Sequence, residues 1–233
     1  MKEGLPLSID RELGDFPIAN LPLSEWEKTA GEELRALISA CRYPWDLLAI
    51  NEYIVSRMES GEIAGDIHPS AVVEGNISLG AGSRILPGVY IEGNVVIGAG
   101  CKIGPNCYLR GNTSIGDNCH IGQSVEIKNS IILNGTNVGH LSYVGDSILG
   151  EKVNFAAGTT VSNLRHDGAN HRSEVDGKLM DTGRRKLGVI VGDGVHTGIG
   201  TMIYPGRKIW PNMSTRPGDV VAKDLRPAKE LSE

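Results

Sequence analysis

Aromatic side chains are scarce: two Phe, three Trp and six Tyr in 233 residues. So few rings leave a core to be built from aliphatic side chains. Basic residues are not in excess either, with 23 Lys and Arg against 28 Asp and Glu and a net charge of −5. That balance gives a nucleic-acid partner no electrostatic footing. No apolar run approaches the roughly 18 residues that span a bilayer, and the polar N-terminus lacks a signal-peptide pattern. A cytoplasmic chain without a membrane partner is expected. The four cysteines include no Cys-x-x-Cys pair, so neither a disulfide framework nor a thiolate metal site is expected. Glycine, by contrast, is plentiful at 31 residues, as suits a chain that turns many corners.

What is present is a period of six. Ile67, Val73, Leu79, Ile85, Ile91, Ile97, Ile103, Leu109, Ile115, Ile121, Ile127 and Leu133 stand six apart without a miss. A second lattice, offset by four, runs through Ala71, Ile77, Ser83, Val89, Val95, Cys101, Cys107, Thr113, Cys119, Val125 and Ile131. Six matches neither the 3.6 of a helix nor simple strand alternation. It matches a hexapeptide repeat, in which each unit forms one flat side of a coil and turns a corner. One unit cannot bury its apolar residue alone; stacked coils do so together, each Ile or Leu contributing roughly 1.5–3 kcal/mol. The chain is predicted to be mainly β, a parallel β-helix. Cys101, Cys107 and Cys119 fall on the small-residue lattice, where reduced thiols act as small hydrophobes.

After Leu133 the register slips, resumes at Tyr143, Leu149, Phe155 and Val161, breaks again, and returns at Val191, Thr197, Ile203, Ile209, Thr215 and Val221. Insertions at solenoid corners leave the stacked sides intact, so 163–187 is read as a projecting loop. Loops longer than about 12–15 residues are usually functional or disordered, and this one is a functional candidate. The β-helix is placed at 63–225 and a tail at 226–233. Residues 1–62 lack the period. Pro6, Pro17 and Pro22 suggest an extended arm over 1–23. Ser24 and Glu27 form a capping box ahead of a helical stripe of Leu34, Leu37, Ile38 and Cys41. Pro44 opens a second helix carrying Leu47, Leu48, Ile54 and Met58, which ends near Gly61. Two short helices are too little for a separate domain and are expected to form a helical cap over the open end of the solenoid.

Polar residues that a purely structural coil does not require gather over 125–161: Glu126, Lys128, His140, Tyr143, Asp146 and Asn154, with Asn163 beyond. His140 falls in the phase slip, where a side chain can leave the lattice. Glu126 and Lys128, two apart on one strand, face outward together, and their coil neighbours that of His140. A carboxylate near an imidazole holds its tautomer and raises its basicity. These charges would equally suit a solvated outer face, and spacing does not choose between the two.

Arg110, Lys128, the run Gly139-His140-Leu141-Ser142-Tyr143-Val144-Gly145-Asp146, Val153-Asn154 with Ala157-Gly158-Thr159, and Asn163 together carry a resemblance. They resemble the C-terminal acetyltransferase domain of the bifunctional bacterial enzyme that makes UDP-N-acetylglucosamine. The likeness covers roughly residues 65–225. The insert, with Asn163-Leu164-Arg165 and Gly183-Arg184-Arg185-Lys186-Leu187-Gly188, is closer to archaeal-type sugar-1-phosphate nucleotidylyltransferases that carry an acetyltransferase tail. The resemblance implies a left-handed coil, against the usual crossover hand. It also implies a homotrimer with acetyl-CoA as co-substrate in the cleft between subunits, and no metal required for acetyl transfer. His140 would be the general base toward the amine of glucosamine 1-phosphate or galactosamine 1-phosphate, and Glu126 would orient it. Arg110, Lys128 and Tyr143 would hold the sugar phosphate, Asn154 and Asn163 the sugar. The Ala157 N–H would face the oxyanion and Lys223 a coenzyme phosphate; Arg185 and Lys186 are the candidates for a loop lysine.

The chain departs from that pattern at Ile199, where the bacterial enzyme has a serine. It contains no Leu-x-x-Gly-x-Gly-Thr-Arg phosphate loop, so nucleotidylyltransferase activity is not expected. Tyr43-Pro44-Trp45-Asp46-Leu47-Leu48 nonetheless resembles the linker that follows such a domain. Three functions remain open. One is an amino-sugar-phosphate N-acetyltransferase of nucleotide-sugar synthesis. Another is a non-catalytic, trimerising β-helix that docks with a separate nucleotidylyltransferase. The third is a zinc lyase of the γ-carbonic-anhydrase kind, which would need three imidazoles. His166 and His171 lie in the insert, however, and His120, His140 and His196 are read as standing at unmatched coil offsets.

Overall fold

The computed structural model describes residues 11–59 and 61–227. Its body is a left-handed parallel β-helix with three flat sides to each coil. The first side stacks Asp66–Ile67, Arg84–Ile85, Lys102–Ile103, His120–Gln123, Asn137–His140 and Asn154–Phe155. Three longer strands, Val72–Leu79, Tyr90–Ile97 and Tyr108–Ile115, bend across a corner and so serve both remaining sides. The second side continues through Glu126–Lys128, Tyr143–Gly145, Thr160–Val161, Met202–Ile203 and Val220–Val221. The third continues through Ile131–Ile132, Ile148–Leu149, Val189–Val191 and Arg207–Ile209. Ile85, Ile91, Ile97, Ile103, Leu109, Ile115, Ile121 and Ile127 fill the axis, each at most 2% exposed.

Beyond Ile127 the inward column differs from the one expected. Up to Glu126, which is in register with Tyr108, each coil consists of three full hexads. Thereafter Glu126 is in register with Tyr143 and Tyr143 with Thr160, so each of these coils falls one residue short of three hexads. The residue is lost at the corner after Lys128. Ile132 and Val144 therefore point inward where Leu133 and Tyr143 were expected, and Ile131 points out. The doublets Ile131-Ile132, Ile148-Leu149 and Ile190-Val191 are apolar on both faces for a related reason: the outer residue of each is covered by the N-terminal segment.

That segment contains three helices, not two: α1 (Leu23–Thr29), α2 (Glu32–Ala40) and α3 (Asp46–Ser56). Ser24 lies inside α1, whose N-cap is Pro22, and the expected capping box makes no cap hydrogen bond. Residues 11–23 are not an extended arm. They hold a short 3-10 turn, Leu13–Asp15, and an antiparallel pair, Pro17–Ile18 with Leu21–Pro22, and they bury Phe16 and Ile18. Residues 1–10, and 228–233 of the expected tail, lie outside the described residues.

The helices do not close the end of the coil; they lie along its flank. Corners with the sequence Gly75-Asn76, Gly93-Asn94 and Gly111-Asn112 stack there. The glycine is needed for close approach: Gly75 has φ +135°, and a Cβ on it would meet the Gly93 carbonyl oxygen at 2.0 Å. Asn76 Nδ2 donates to the Met58 carbonyl at 3.1 Å and Asn94 Nδ2 to that of Val55 at 3.0 Å. Asn51, fully buried on α3, donates to the Asn112 carbonyl and accepts from Ser114 Oγ, both at 2.8 Å. Both ends of its amide are satisfied, as burial demands.

The insert is more than a bare loop. Arg172–Val175 and Lys178–Asp181 form a hairpin, and Leu187 N–H closes the excursion on the Asn163 carbonyl at 3.0 Å. The four cysteines are free and buried; Cys101, Cys107 and Cys119 hold the lattice positions read for them, and Cys41 packs among the helices. Burial pushes the Cys107 thiol up to about 11. No helix among the described residues is long and apolar enough to cross a membrane.

Candidate active site

The expected site residues divide between two corners. At the first, the shortened coils bring Asn129, Asp146 and Asn163 into one column. Asp146 is 2% exposed and sits at φ +50°, a conformation Asp tolerates better than most residues. Its carboxylate accepts from Lys128 Nζ at 2.9 and 3.0 Å, Asn129 Nδ2 at 3.1 Å and Asn163 Nδ2 at 2.5 Å. This donor set offsets the cost of a buried charge. Asn163 Nδ2 also lies 3.0 Å from the Tyr143 hydroxyl. Burial, reinforced by Asp146, holds the Tyr143 phenol above its usual range. Asn129 Nδ2 reaches Glu52 Oε1 of α3 at 2.8 Å, and Glu52 also ion-pairs with Arg184 of the insert.

Two of the expected phosphate-binding cations are thus already paired. Lys128 is bound to Asp146, and Arg110 grips Glu126 Oε1 through Nε at 2.8 Å and Nη2 at 2.7 Å. Within the chain Glu126 makes no hydrogen bond to His140 among the described residues. Glu126 is in register with Tyr143 on the second side, whereas His140 ends the first side beside Gln123. The corner between them keeps the two side chains from hydrogen bonding.

At the second corner Gln123, His140 and Ala157 stack. His140 pairs with Gln123, and Gly158 N–H donates to the His140 carbonyl at 3.0 Å. His140 is exposed, and its imidazole makes no hydrogen bond among the described residues. One coil on, the Ala157 N–H has no acceptor among them either. Asn154 faces outward on the first side, between Asn137 and His196. His120 belongs to that same column, so His120 and His196 do share a coil offset, contrary to the sequence reading, with two asparagines between them. Burial, then Lys102 and His140, lower the His120 pKa. Among the described residues no three His, Cys, Asp or Glu side chains converge as metal ligands.

Arg185 and Lys186 stand exposed on the returning arm of the insert and form no ion pair among the described residues. Lys223 is exposed on the last coil, beside a cleft of about 480 Å³ that Thr215 and Asp224 also line. Asp146, Asn129, Glu52 and Arg184 had not been given site roles. The signal for the first two was the even spacing of Asn129, Asp146 and Asn163, one short of three hexads, which a search at six passes over.

The chain is 41% identical over 182 residues to the bifunctional sugar-1-phosphate nucleotidylyltransferase/acetyltransferase of Sulfurisphaera tokodaii, covering 78% of this chain and 45% of that protein. It is 38% identical over 216 residues to the bifunctional protein GlmU of Methanocaldococcus jannaschii, covering 93% and 52% respectively. The chain spans about half the length of the curated relatives it matches. Among solved structures, the UDP-N-acetylglucosamine acyltransferase from Campylobacter jejuni aligns with a TM-score of 0.42 at 13% identity, over 72% of this chain and 69% of that one. Residues 91–216, more than half of the chain, match the family described as the GMPPB C-terminal domain, and the chain belongs to that family.

Proposed function

We propose that the chain is an acetyl-CoA-dependent N-acetyltransferase of an amino-sugar 1-phosphate, acting as a homotrimer whose clefts are completed by neighbouring subunits. The observation that carries this reading is the second corner. An exposed imidazole without a hydrogen-bond partner among the described residues stands one coil from an unpartnered backbone N–H. His140 accepts the proton that the amine loses as its nitrogen attacks the thioester carbonyl, and the Ala157 N–H stabilises the oxygen as it becomes an oxyanion. A C–N bond replaces the C–S bond, and the imidazolium returns its proton to the departing thiolate. Asn154 lies on the same side for the sugar. Arg110, Lys128 and Tyr143 would serve the sugar phosphate from the second side, where Asn163 would also reach the sugar; Arg185 and Lys186 would act from the insert, and Lys223 on a coenzyme phosphate. A trimer accounts for the division, because a cleft between subunits can face the second side of one copy with the first side of the next. The S. tokodaii relative, whose name includes acetyltransferase, supports the same reaction class.

The test is thiol release from acetyl-CoA with glucosamine 1-phosphate and galactosamine 1-phosphate. His140→Ala should lower kcat by roughly 10²–10⁴-fold without changing thermal stability. Near-normal kcat in that variant would remove His140 from the mechanism. A second reading has one observation in its favour: Lys128 and Arg110 are neutralised within the chain. It is a non-catalytic, trimerising β-helix that docks with a nucleotidylyltransferase. Absence of thiol release with every amino sugar tried would decide for it.

A further inference from the structure

The insert and the coil beyond it enclose a basic recess that none of the roles above uses. Arg165, His171, Arg172 and Arg207 line it together with Tyr204; its volume is about 210 Å³, and no carboxylate is among the described residues that line it. It adjoins a larger cavity of about 550 Å³, which shares Arg165 and Tyr204 and adds Leu164, His166 and one carboxylate, Asp167. Arg165 is committed to Asp167 at 2.5 and 2.9 Å. Arg172 and Arg207 form no ion pair among the described residues. Arg207 donates only to main-chain oxygens, Nε to Pro205 at 3.3 Å and Nη2 to Arg172 at 3.4 Å. His171 is 2% exposed and fixed on the Asn163 carbonyl at 3.0 Å. Burial is the largest cause lowering its pKa, and Arg165 and Arg207 lower it further. The recess thus holds two uncompensated guanidiniums beside a neutral imidazole, in a chain whose net charge is −5. Like charges held together are unfavourable until an anion sits between them, and guanidinium forks match phosphate oxygens in pairs. Beside them Tyr204 is 54% and Leu164 43% exposed, and the two form an apolar wall.

We infer that this recess binds a nucleotide, its phosphate held by Arg172 and Arg207 and its base lying against Tyr204 and Leu164. Two sources share that chemistry: the phosphorylated adenosine end of a coenzyme A thioester, and the nucleotide of a nucleotide sugar. The affinity does not depend on acetyl transfer, so turnover and binding can be tested apart. Calorimetric titration of the full chain with adenosine 3′,5′-bisphosphate and with UDP should show saturable binding of at least one. Preference for the first assigns the coenzyme end, and preference for UDP assigns a nucleotide sugar. Arg207→Ala should weaken binding roughly 10–100-fold, and Arg172→Ala, on an exposed strand residue, should weaken it without touching the fold. Added salt should weaken it in the parent protein. The inference is overturned if neither nucleotide binds the parent, or if both variants bind as the parent does. Nucleotide binding without thiol release would count against the acetyltransferase reading alone.

Discussion

Two stretches of one coil use the same repeat for different ends. Over 66–127 the coils keep three full hexads, the corners read Gly-Asn, and polar neighbours pair locally, as where the Tyr90 hydroxyl donates to Glu74 at 2.5 Å. Over 128–191 the coil loses a residue, then admits the insert at 163–187, and its corners carry Asn129, Asp146 and Asn163. In the first stretch a glycine lets backbones touch at the corner, and the asparagine beside it serves the helix. In the second, a single residue replaces that pair, in the left-handed conformation at Asn129 and Asp146, and its side chain comes into line with those above and below. Polar groups can then stack. The candidate chemistry sits where the repeat is imperfect, and the perfect part is the scaffold that positions it.

The sharpest way to break this comparison is to charge the scaffold. Ile97→Asp places a carboxylate in the fully apolar axis, a cost of several kcal/mol, and should abolish soluble folded protein. Recovery of that variant with an unchanged melting temperature would mean the axis is not the core. The next largest effect tests the irregular stretch. Lys128→Ala leaves the Asp146 carboxylate buried without its cation and should cost about 3–5 kcal/mol in urea unfolding. Adding Asp146→Asn should restore part of that loss, because the replacement no longer carries the charge. If Lys128→Ala is as stable as the parent, the column is not a paired, buried unit. A smaller effect belongs to the link between the helices and the insert. Glu52→Gln removes the ion pair with Arg184 from a partly exposed site and should cost about 1 kcal/mol by the same measurement. The smallest belongs to the regular stretch. Cys107→Ala should cost about 1 kcal/mol. In native protein the Cys41 and Cys107 thiols, each raised to about 11 chiefly by burial, should stay unreactive toward Ellman's reagent at pH 8 until the chain is unfolded.

Much of the scaffold was legible because burial repeats. From Ile67 to Ile127 every sixth residue packs on the axis or against it, so one period describes many contacts. Legibility failed at Lys128, where losing a single residue moved Leu133 and Tyr143 out of the column and Ile132 and Val144 into it. The doublets at 131–132, 148–149 and 190–191 are buried on both faces, and a period of six assigns only one of the two. His140 and Ala157 were findable as candidates and do occupy one corner. The placing of Glu126 on Arg110 was not findable, because it depends on which side of a corner each residue falls.

By itself the sequence determined that the chain stacks coils, how far each coil advances over the regular stretch, and which side chains line the axis there, since these follow from a local spacing repeated many times. Only the tertiary structure decided that the helices lie along the flank, that Lys128 and Arg110 meet carboxylates within their own chain, and that Arg172 and Arg207 share a recess. Each of those joins residues far apart in the chain, or on neighbouring coils. Their meeting depends on the three-dimensional phase of the coil, which a one-residue deletion or an insert resets.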